Sequence, residues 1–437
     1  MVWFTHGAQK HARSVVGRCV AGILLSAGST ASAAAQGTAP PITRVTMEQA
    51  VRLAIDRNQA LQVQRLEIDA SKADETTAAL KPNPNLSIGA TGFTPFHPRQ
   101  MTFSFLGNDV SYGSTLTYTF ERGGKRDKRT LVAQDTTDVT RKNVGDQERQ
   151  LRFQTEQAFV DTLLAKSTLD LAQQNLKSFS DVVEINRRRV TAGDLAQGDF
   201  YRISLQQLQF EQDVSAAQVS LVQARASLRQ LLGYEAIADD FDVDGDLAFV
   251  QYSLNLDDLK KQALDNRADV IAAHAGVKLA EDSVSLQQSI RTRDIDGDLD
   301  YTHTGSDNVL GVGVAFDLPI HDRNQGNIAR SEIAVRQAVQ TELATRFTAI
   351  TDVVNAYAAY ETNAKVVGLY QSGYLDQARQ SLDIGRYVYQ RGAGNLLDLL
   401  DAERTYRETE LGYRQALAAY MTSLSQLNFA VGKQVIP

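Results

Sequence analysis

The chain has 437 residues, of which 43% are hydrophobic and 22% are charged, as in a folded rather than a disordered protein. Its formal net charge of −7 argues against nucleic-acid binding, because no basic excess is available to hold phosphates. A single cysteine, Cys19, excludes a disulfide scaffold and a cysteine-built metal site. No proline occurs in 99–318 or 320–436, which favours very long helices because an interior proline would break them.

The first residues of the chain have the layout of a secretory signal peptide, predicted over residues 1–35. Three basic residues and no acidic one precede a short apolar segment at 20–25, and small residues then offer an Ala-x-Ala cleavage site. The apolar segment is too short to span a bilayer. Cys19 precedes this segment, so no lipid anchor is expected. We therefore predict an exported protein, either periplasmic, secreted, or a β-barrel in an outer membrane.

After this segment the sequence repeats itself with a period near 200 residues. Residues 47–58 resemble residues 256–267, and the sequence LRQLLG at 228–233 matches LNFAVG at 427–432. Each half predicts the same order of elements, namely a helix, two strands, a very long helix, a turn and a returning helix.

The repeat predicts a domain organisation of two units and a connector. The first unit spans 36–233, the connector spans 234–255, and the second unit spans 256–437. Within the connector, the sequence DFDVDG at 240–245 matches the opening of a calcium loop. A calcium loop would place a bidentate glutamate at position twelve, but the chain has Gln251 there. We therefore interpret this segment as an acidic, solvated connector.

Four segments alternate with period two between apolar or aromatic residues and small polar ones. These predicted strands are 86–93, 111–120, 298–304 and 310–318. Such alternation predicts strands with one apolar face and one wet face. A sheet in a water-soluble protein would give the same pattern, so the alternation alone leaves a membrane sheet and a soluble sheet open.

The long helices carry a heptad pattern, which is the mark of helices that coil around their neighbours. The two apolar series, each with spacing seven and offset from one another by four, are Ala158, Ala165, Ala172, Phe179 and Leu169, Leu176, Val183, Val190. The segment 126–186 is about 60 residues long, or roughly 90 Å of helix. A globular core does not need helices of that length.

Four strands are too few to close a transmembrane barrel, for which about eight is the practical minimum. An open sheet edge in lipid would leave backbone groups unpaired at several kcal/mol each. If these strands enter a membrane, several chains must share one barrel. The long helices of every chain would then line up as a tube beneath it.

Two junctions between strand and helix carry a family resemblance. The sequence ERGGKR at 121–126 and the sequence LPIHDRNQGN at 318–327 resemble the corresponding junctions of the heavy-metal (CzcC-like) branch of the TolC family of outer-membrane efflux channels. The duplicated layout, the two Gly-x5-Asp turns and the terminal LxxxxG segments resemble the same family. This resemblance covers nearly the whole chain after residue 35.

The resemblance implies a mainly α-helical protein with a small β-barrel part, located in the outer membrane with its helical tunnel in the periplasm. It implies a homotrimer in which four transmembrane strands per chain complete a twelve-stranded barrel in outer-membrane lipid. It also implies two partners, a periplasmic adaptor protein and an inner-membrane efflux pump of the resistance-nodulation-division type.

Two turns reverse the long helices, at 190–195 and 391–396, and we expect their glycines to supply the positive φ that a sharp reversal needs. These tip glycines are Gly193, Gly392 and Gly394. The resemblance places the family's aperture aspartates at Asp398 and Asp401, which share one helix face, and places Asp199 at the position equivalent to Asp398. The alternative is that Asp199 and Asp398 cap their helices. The best-known member of the family has an arginine four residues before its first aperture aspartate, which forms a salt-bridge latch. This chain has Gly394 at that position, so no such latch is expected.

Three hypotheses for function follow. The first is a passive export duct for divalent heavy-metal cations, the second is a duct for drug efflux or type I polypeptide secretion, and the third is a soluble periplasmic coiled-coil scaffold. None is an enzyme, since no nucleophile elbow, phosphate loop or zincin motif is present. The four histidines beyond residue 35 do not pair at metal-ligand spacing, so neither a cofactor nor a dedicated metal site is predicted.

Overall fold

The computed structural model describes residues 42–93, 104, 106 and 109–436, and the predicted signal peptide lies outside these ranges. In the first half the elements follow in the order β1 (Ile42–Val45), α1 (Met47–Arg57), α2 (Gln59–Ala79), β2 (Asn85–Thr91), β3 (Ser111–Phe120), α3 (Lys125–Ala192) and α4 (Gln197–Leu232). The second half comprises β4 (Ile237–Val243), α5 (Leu256–Asn266), α6 (Ala268–Ile290), β5 (Ile295–Thr304), β6 (Asp307–Ala315), α7 (Gln325–Leu369), a π-helical turn (Tyr370–Tyr374), α8 (Leu375–Gln390) and α9 (Leu396–Val431). The predicted duplicated order of long helices and strand pairs is confirmed.

Equivalent positions in the two halves satisfy backbone carbonyl groups at the ends of the returning helices. Asn58 ends α1 and caps α2, and its side chain donates to the Leu231 carbonyl at the end of α4. In the second half Arg267 separates α5 from α6 and donates to the Ala430 carbonyl at the end of α9. Each returning helix therefore has one of its last carbonyls satisfied by a side chain from the matching break.

The strand-to-helix junctions also match between the halves. The residue before α3 is Gly124 and the residue before α7 is Asn324, and both adopt the left-handed conformation (φ 67° and 60°). Asn324 is the one non-glycine residue with positive φ in the described ranges. Its side chain donates to the Gln287 carbonyl at 2.8 Å, which fixes the turn and anchors α7 against α6.

The four predicted strands form one antiparallel sheet in the order β2-β3-β5-β6, so the central β3–β5 pair joins the two halves. One face carries exposed apolar side chains, including Ile88, Leu116, Leu310 and Val312. The opposite face is polar. On it three hydroxyls of β3 donate to three carboxylates of β5, at 2.6 to 2.7 Å; the pairs are Thr115 with Asp300, Thr117 with Asp298, and Thr119 with Asp296.

The acidic segment of the connector is not a solvated loop, so that interpretation was wrong. It contains β4, which pairs in parallel with β1, and its alternate residues Phe241 and Val243 are buried in the core shared with α1, α3 and α4. Asp242 points the other way and pairs with Lys166 and Arg225 at 2.6 and 3.1 Å. These two cations outweigh partial burial and lower the pKa of the Asp242 carboxyl.

The rest of the connector lies along α7 and α9 and is held there by tyrosine hydroxyls. Tyr360 donates to the Tyr252 carbonyl at 2.7 Å and accepts from the amide of the same residue, and Tyr420 donates to the Val250 carbonyl. Burial raises the pKa of Tyr420, which keeps this hydroxyl a donor. The connector therefore lies against the middle of α7 and α9 and is hydrogen-bonded to both helices.

The two long hairpins differ in one respect that no repeat predicts. Helix α3 runs without interruption for 68 residues, whereas its counterpart breaks at the π-helical turn between α7 and α8. There Gly373 has φ 124°, outside the helical region. No helix in the described ranges has the combination of length and apolar character needed to cross a membrane.

Candidate aperture at the ends of the long helices

Two of the three tip glycines adopt the predicted conformation. Gly193, which ends α3, has φ +84°, and Gly392, which follows α8, has φ +73°. Gly394 is not in the positive-φ region; a Cβ there would lie 3.0 Å from Val388 Cγ1 and would crowd the turn. Glycine is therefore needed at 193 and 392 for backbone conformation and at 394 for a close approach.

Substituting Gly193 with alanine is expected to destabilise the first turn by about 1–2 kcal/mol, because an L side chain is strained in the left-handed region. Gly198, in the first turn of α4, is the matched control, since a Cβ there would meet no atom within 4 Å. Limited proteolysis at 190–196 measures the effect. We expect faster cleavage for Gly193→Ala and unchanged or slower cleavage for Gly198→Ala; equal rates in the two variants would contradict the assignment.

Neither Asp199 nor Asp398 caps its helix, so the capping alternative was wrong. The N-cap of α9 is Asn395, whose Oδ1 accepts from the Asp398 amide at 2.9 Å, and the N-cap of α4 is Ala196. Both aspartates instead occupy the third helical position, where Asp398 is exposed and Asp199 is partly exposed. There a carboxylate interacts favourably with the helix dipole and leaves its oxygens available to solvent.

The three aspartates of the candidate aperture differ in how far their charge is neutralised. Asp401 pairs with Arg404 at 2.6 Å, and Asp199 lies 3.6 Å from Arg202. Asp398 has no ion-pair partner in the part of the chain that the structure describes. The arginines stand three residues after their partners, a spacing visible in the sequence that our prediction of an acidic aperture did not take into account. Asp398 is therefore the strongest source of uncompensated negative charge among the three.

A buried ion pair joins the second hairpin to the first. Arg386 on α8 contacts Glu403 on α9 at 2.8 Å, and the same guanidinium donates to Ser178 on α3 at 2.7 Å. The Glu403 side chain is only 8% exposed. Burial raises the pKa of its carboxyl, and Arg386 partly offsets that rise. This pair ties three helices together about two turns from the tip.

A second buried contact lies one turn closer to the tip. The Tyr389 hydroxyl donates to Asn186 Oδ1 at 2.8 Å, and the Arg189 guanidinium lies 5.4 Å from the centre of the Tyr389 ring. Burial raises the pKa of Tyr389, so its hydroxyl remains protonated. Tyr389 on α8 and Asn186 on α3 are both buried. The two hairpins are thus joined at successive levels.

An apolar cluster fills the space between these polar contacts. Phe179 on α3 stacks on Phe210 of α4 with ring centroids 4.5 Å apart, and Leu396 and Leu400 of α9 pack against the same cluster. The heptad prediction located the α3 members of this cluster, Phe179 and Val183. The α9 stripe at 396, 399 and 400 would next place an apolar residue at 403, so the glutamate found there was an unused signal of a buried charge.

No group of three or more histidine, cysteine, aspartate or glutamate side chains in the described ranges is arranged to hold a metal ion. The three candidate aperture aspartates carry negative charge. Their effect on a cation would be electrostatic and screened by salt.

The fold and this tip define a class of protein, namely the subunit of an outer-membrane channel with an attached helical conduit. The family model described as "Outer membrane efflux protein" matches residues 50–234 and 259–433. The chain belongs to this TolC-like family, whose members are channels and not enzymes. The predicted family, outer-membrane localisation and absence of catalysis are confirmed.

Three similar proteins indicate the branch and the fold. The cobalt-zinc-cadmium resistance protein CzcC of Cupriavidus metallidurans is 25% identical over 394 residues, which cover 89% of this chain and 90% of that protein. The cation efflux system protein CusC of Escherichia coli K12 is 26% identical over 299 residues, covering 60% of this chain and 63% of that protein. The open-state MtrE outer membrane channel of Neisseria gonorrhoeae has the same fold, with a TM-score of 0.73, 20% identity and coverage of 89% of each chain.

Proposed function

We propose that this protein is a passive, homotrimeric export duct for divalent heavy-metal cations. In this proposal the two repeats span 36–233 and 256–437, follow a cleaved signal peptide at 1–35, and are joined by the connector at 234–255. A periplasmic adaptor couples the duct to an inner-membrane pump of the resistance-nodulation-division type. The duct itself needs no cofactor, because cations cross it passively and it catalyses no reaction.

The observation that carries the duct is the open four-stranded sheet. Its outer strands, β2 and β6, each have one edge without a partner in the described chain, and its apolar face is exposed. In lipid each unpaired backbone group costs several kcal/mol, so both edges must be paired by neighbouring chains. Three copies give twelve strands, enough to close a barrel. The apolar face then meets lipid and the polar face lines the interior.

The helical part supplies the conduit. At 1.5 Å per residue, the 68 residues of α3 extend about 100 Å. In a trimer the six hairpins would meet at the periplasmic tip, where Asp398, Asp401 and Asp199 would form an acidic aperture. A soluble scaffold would not need a sheet with an exposed apolar face, which disfavours the third hypothesis.

The heavy-metal substrate is supported by relatives and by charge. The relative aligned over nine-tenths of its own length is a cobalt-zinc-cadmium resistance protein. An acidic aperture raises the local concentration of cations and lowers that of anions. A duct for drugs or for a secreted polypeptide would share the fold and the family's aperture aspartates, so it is the relative that favours a metal substrate over these alternatives.

Growth of a strain lacking the gene tests the substrate. The strain is grown across zinc, cobalt, cadmium, nickel and copper, with drugs and dyes in parallel, and is complemented by the wild-type gene. We expect selective sensitivity to one or more metals that the gene restores. Sensitivity to drugs alone would keep the duct and reject the metal substrate, and full recovery of the protein in the soluble periplasm would reject the duct itself.

A further inference from the structure

Two aspartates face each other across the contact between α3 and α6, far from the candidate aperture. Asp135 on α3 is only 7% exposed, and the carboxyl group of Asp282 on α6 lies beside it. The ammonium of Lys278 contacts Asp135 Oδ1 and lies 3.5 Å from Asp282 Oδ2. The three groups therefore form one cluster in which two carboxyl groups flank a single ammonium.

If both carboxyl groups are ionised, the cluster lacks one hydrogen-bond donor and one positive charge. Asp135 Oδ2 is buried and has no hydrogen-bond donor within the described residues. Two ionised carboxylates and one ammonium would also leave a net negative charge at a site where Asp135 is buried, Asp282 is partly exposed and Lys278 is exposed. A buried acceptor without a donor is destabilising, and a second carboxylate nearby favours the neutral form of one of the two carboxyl groups.

Other charged groups on the packed elements do not supply what is missing. Charged residues on these helices and on the helices packed against them include Glu75 on α2, Lys128 and Asp138 on α3, Glu281 on α6, and Glu332 and Arg336 on α7. Lys128 donates to the Ser285 carbonyl, and Asp138 pairs with Lys142. Among the described residues none of the six makes a hydrogen bond or ion pair with Asp135 or Asp282.

We propose that Asp282 carries a proton that it donates to Asp135, so that the two residues form an acid-stabilised clamp between α3 and α6. The proton supplies both the missing donor and the missing positive charge. The Lys278 ammonium contacts Asp135 from the other side. The hydrogen bond to Asp135, followed by burial, raises the pKa of the Asp282 carboxyl.

The place of the clamp gives it a structural consequence. Helix α3 follows β3 and helix α6 precedes β5, and these two strands form the central pair of the sheet that joins the halves of the chain. Asp135 lies ten residues into α3, about 15 Å from its start. The clamp therefore fastens the two halves directly beneath the sheet.

The pH dependence has a definite sign. Because the pKa of Asp282 is raised in the folded state, the folded protein binds this proton more tightly than the unfolded chain does. The stabilisation is fully present below the unfolded pKa and is lost as the pH rises through the folded pKa. The contact between the two halves is thus more stable at lower pH and less stable at higher pH.

The test uses the full-length protein in detergent or lipid, from mildly acidic to mildly alkaline pH. Infrared spectroscopy follows the C=O band of protonated carboxylic acid, and thermal unfolding follows stability. The variants are Asp282→Asn, which keeps a neutral donor, and Asp135→Asn, which removes the carboxyl group that accepts the proposed hydrogen bond. Asp138→Asn is the matched control, because this aspartate lies one turn along α3 and is ion-paired and partly exposed.

We expect a carboxylic acid band in the wild type and in Asp138→Asn that titrates well above the ordinary aspartate pKa. Asp282→Asn and Asp135→Asn should both lose it, although the second retains Asp282. Asp282→Asn should also lose at least half of the fall in unfolding temperature that accompanies rising pH. A band unchanged in Asp282→Asn, or the same pH dependence of unfolding in that variant and the wild type, would overturn the proposal.

Discussion

Replacing Asp398 and Asp401 together with alanine is expected to weaken the cation preference of the channel and to relieve its block by multivalent cations. Three copies of each aspartate would place six carboxylates at one constriction. Unit charges 4 Å apart interact by about 1 kcal/mol in water, so removal of six carboxylates predicts at least a ~10-fold weaker block. Single-channel conductance in planar bilayers, with a divalent or trivalent cation added on the tip side, measures this directly.

The two single variants are expected to differ. Asp401 is partly neutralised by Arg404, whereas Asp398 has no ion-pair partner among the described residues, so Asp398→Ala should have the larger effect. Asp74→Ala is the matched control, because Asp74 is exposed on α2, which packs against the other end of α3. Unchanged selectivity and unchanged block in the double variant would remove both residues from the aperture.

The sequence predicted the elements whose signal is local and repeated. Strand β3 was located with its bounds because period-two alternation runs through ten residues, and the long helices were located because no proline interrupts them. Strand β1 was missed. It has four residues, and its partner β4 lies about 190 residues away in a segment whose aspartates suggested a solvated loop. The alternate Phe241 and Val243 carried the strand signal, but the acidic residues masked it.

For the candidate aperture, the sequence predicted features that lie within one helix or one turn, but not the contacts between helices. Spacing placed Asp398 and Asp401 on one face of α9, and glycines marked the two reversals. The contacts that join the hairpins were missed, because they depend on which turn of α8 meets which turn of α3. Tyr389 and Asn186 are 203 residues apart, and no pattern within either helix sets their register.

The buried pair of Glu403 and Arg386 shows how strongly a contact that the sequence did not reveal can affect stability. Its carboxylate lies in the interface between α8 and α9, and its counter-charge comes from Arg386. Removing one partner of a buried pair leaves the other charge buried and unpaired, which lowers stability by about 3–5 kcal/mol. Removing both partners often changes stability little. The same hairpin offers an exposed comparison, the pair of Asp401 and Arg404, with side chains 66% and 61% exposed. Exposed pairs of this kind are worth about 0–1 kcal/mol.

Arg386→Met is therefore expected to lower the stability of the helical tip strongly, while Arg404→Met changes it little. Without Arg386, the pKa of Glu403 should rise further, because only the charge of Arg407 then opposes the effect of burial. A raised folded pKa means that stability is lost as the pH rises, so the Arg386→Met defect should grow from acidic to neutral pH. Thermal unfolding of the purified channel across that range measures the effect, and the double variant Arg386→Met with Glu403→Leu should recover most of the loss. Equal defects in Arg386→Met and Arg404→Met, or no recovery in the double variant, would show that the buried pair does not hold the second hairpin against the first.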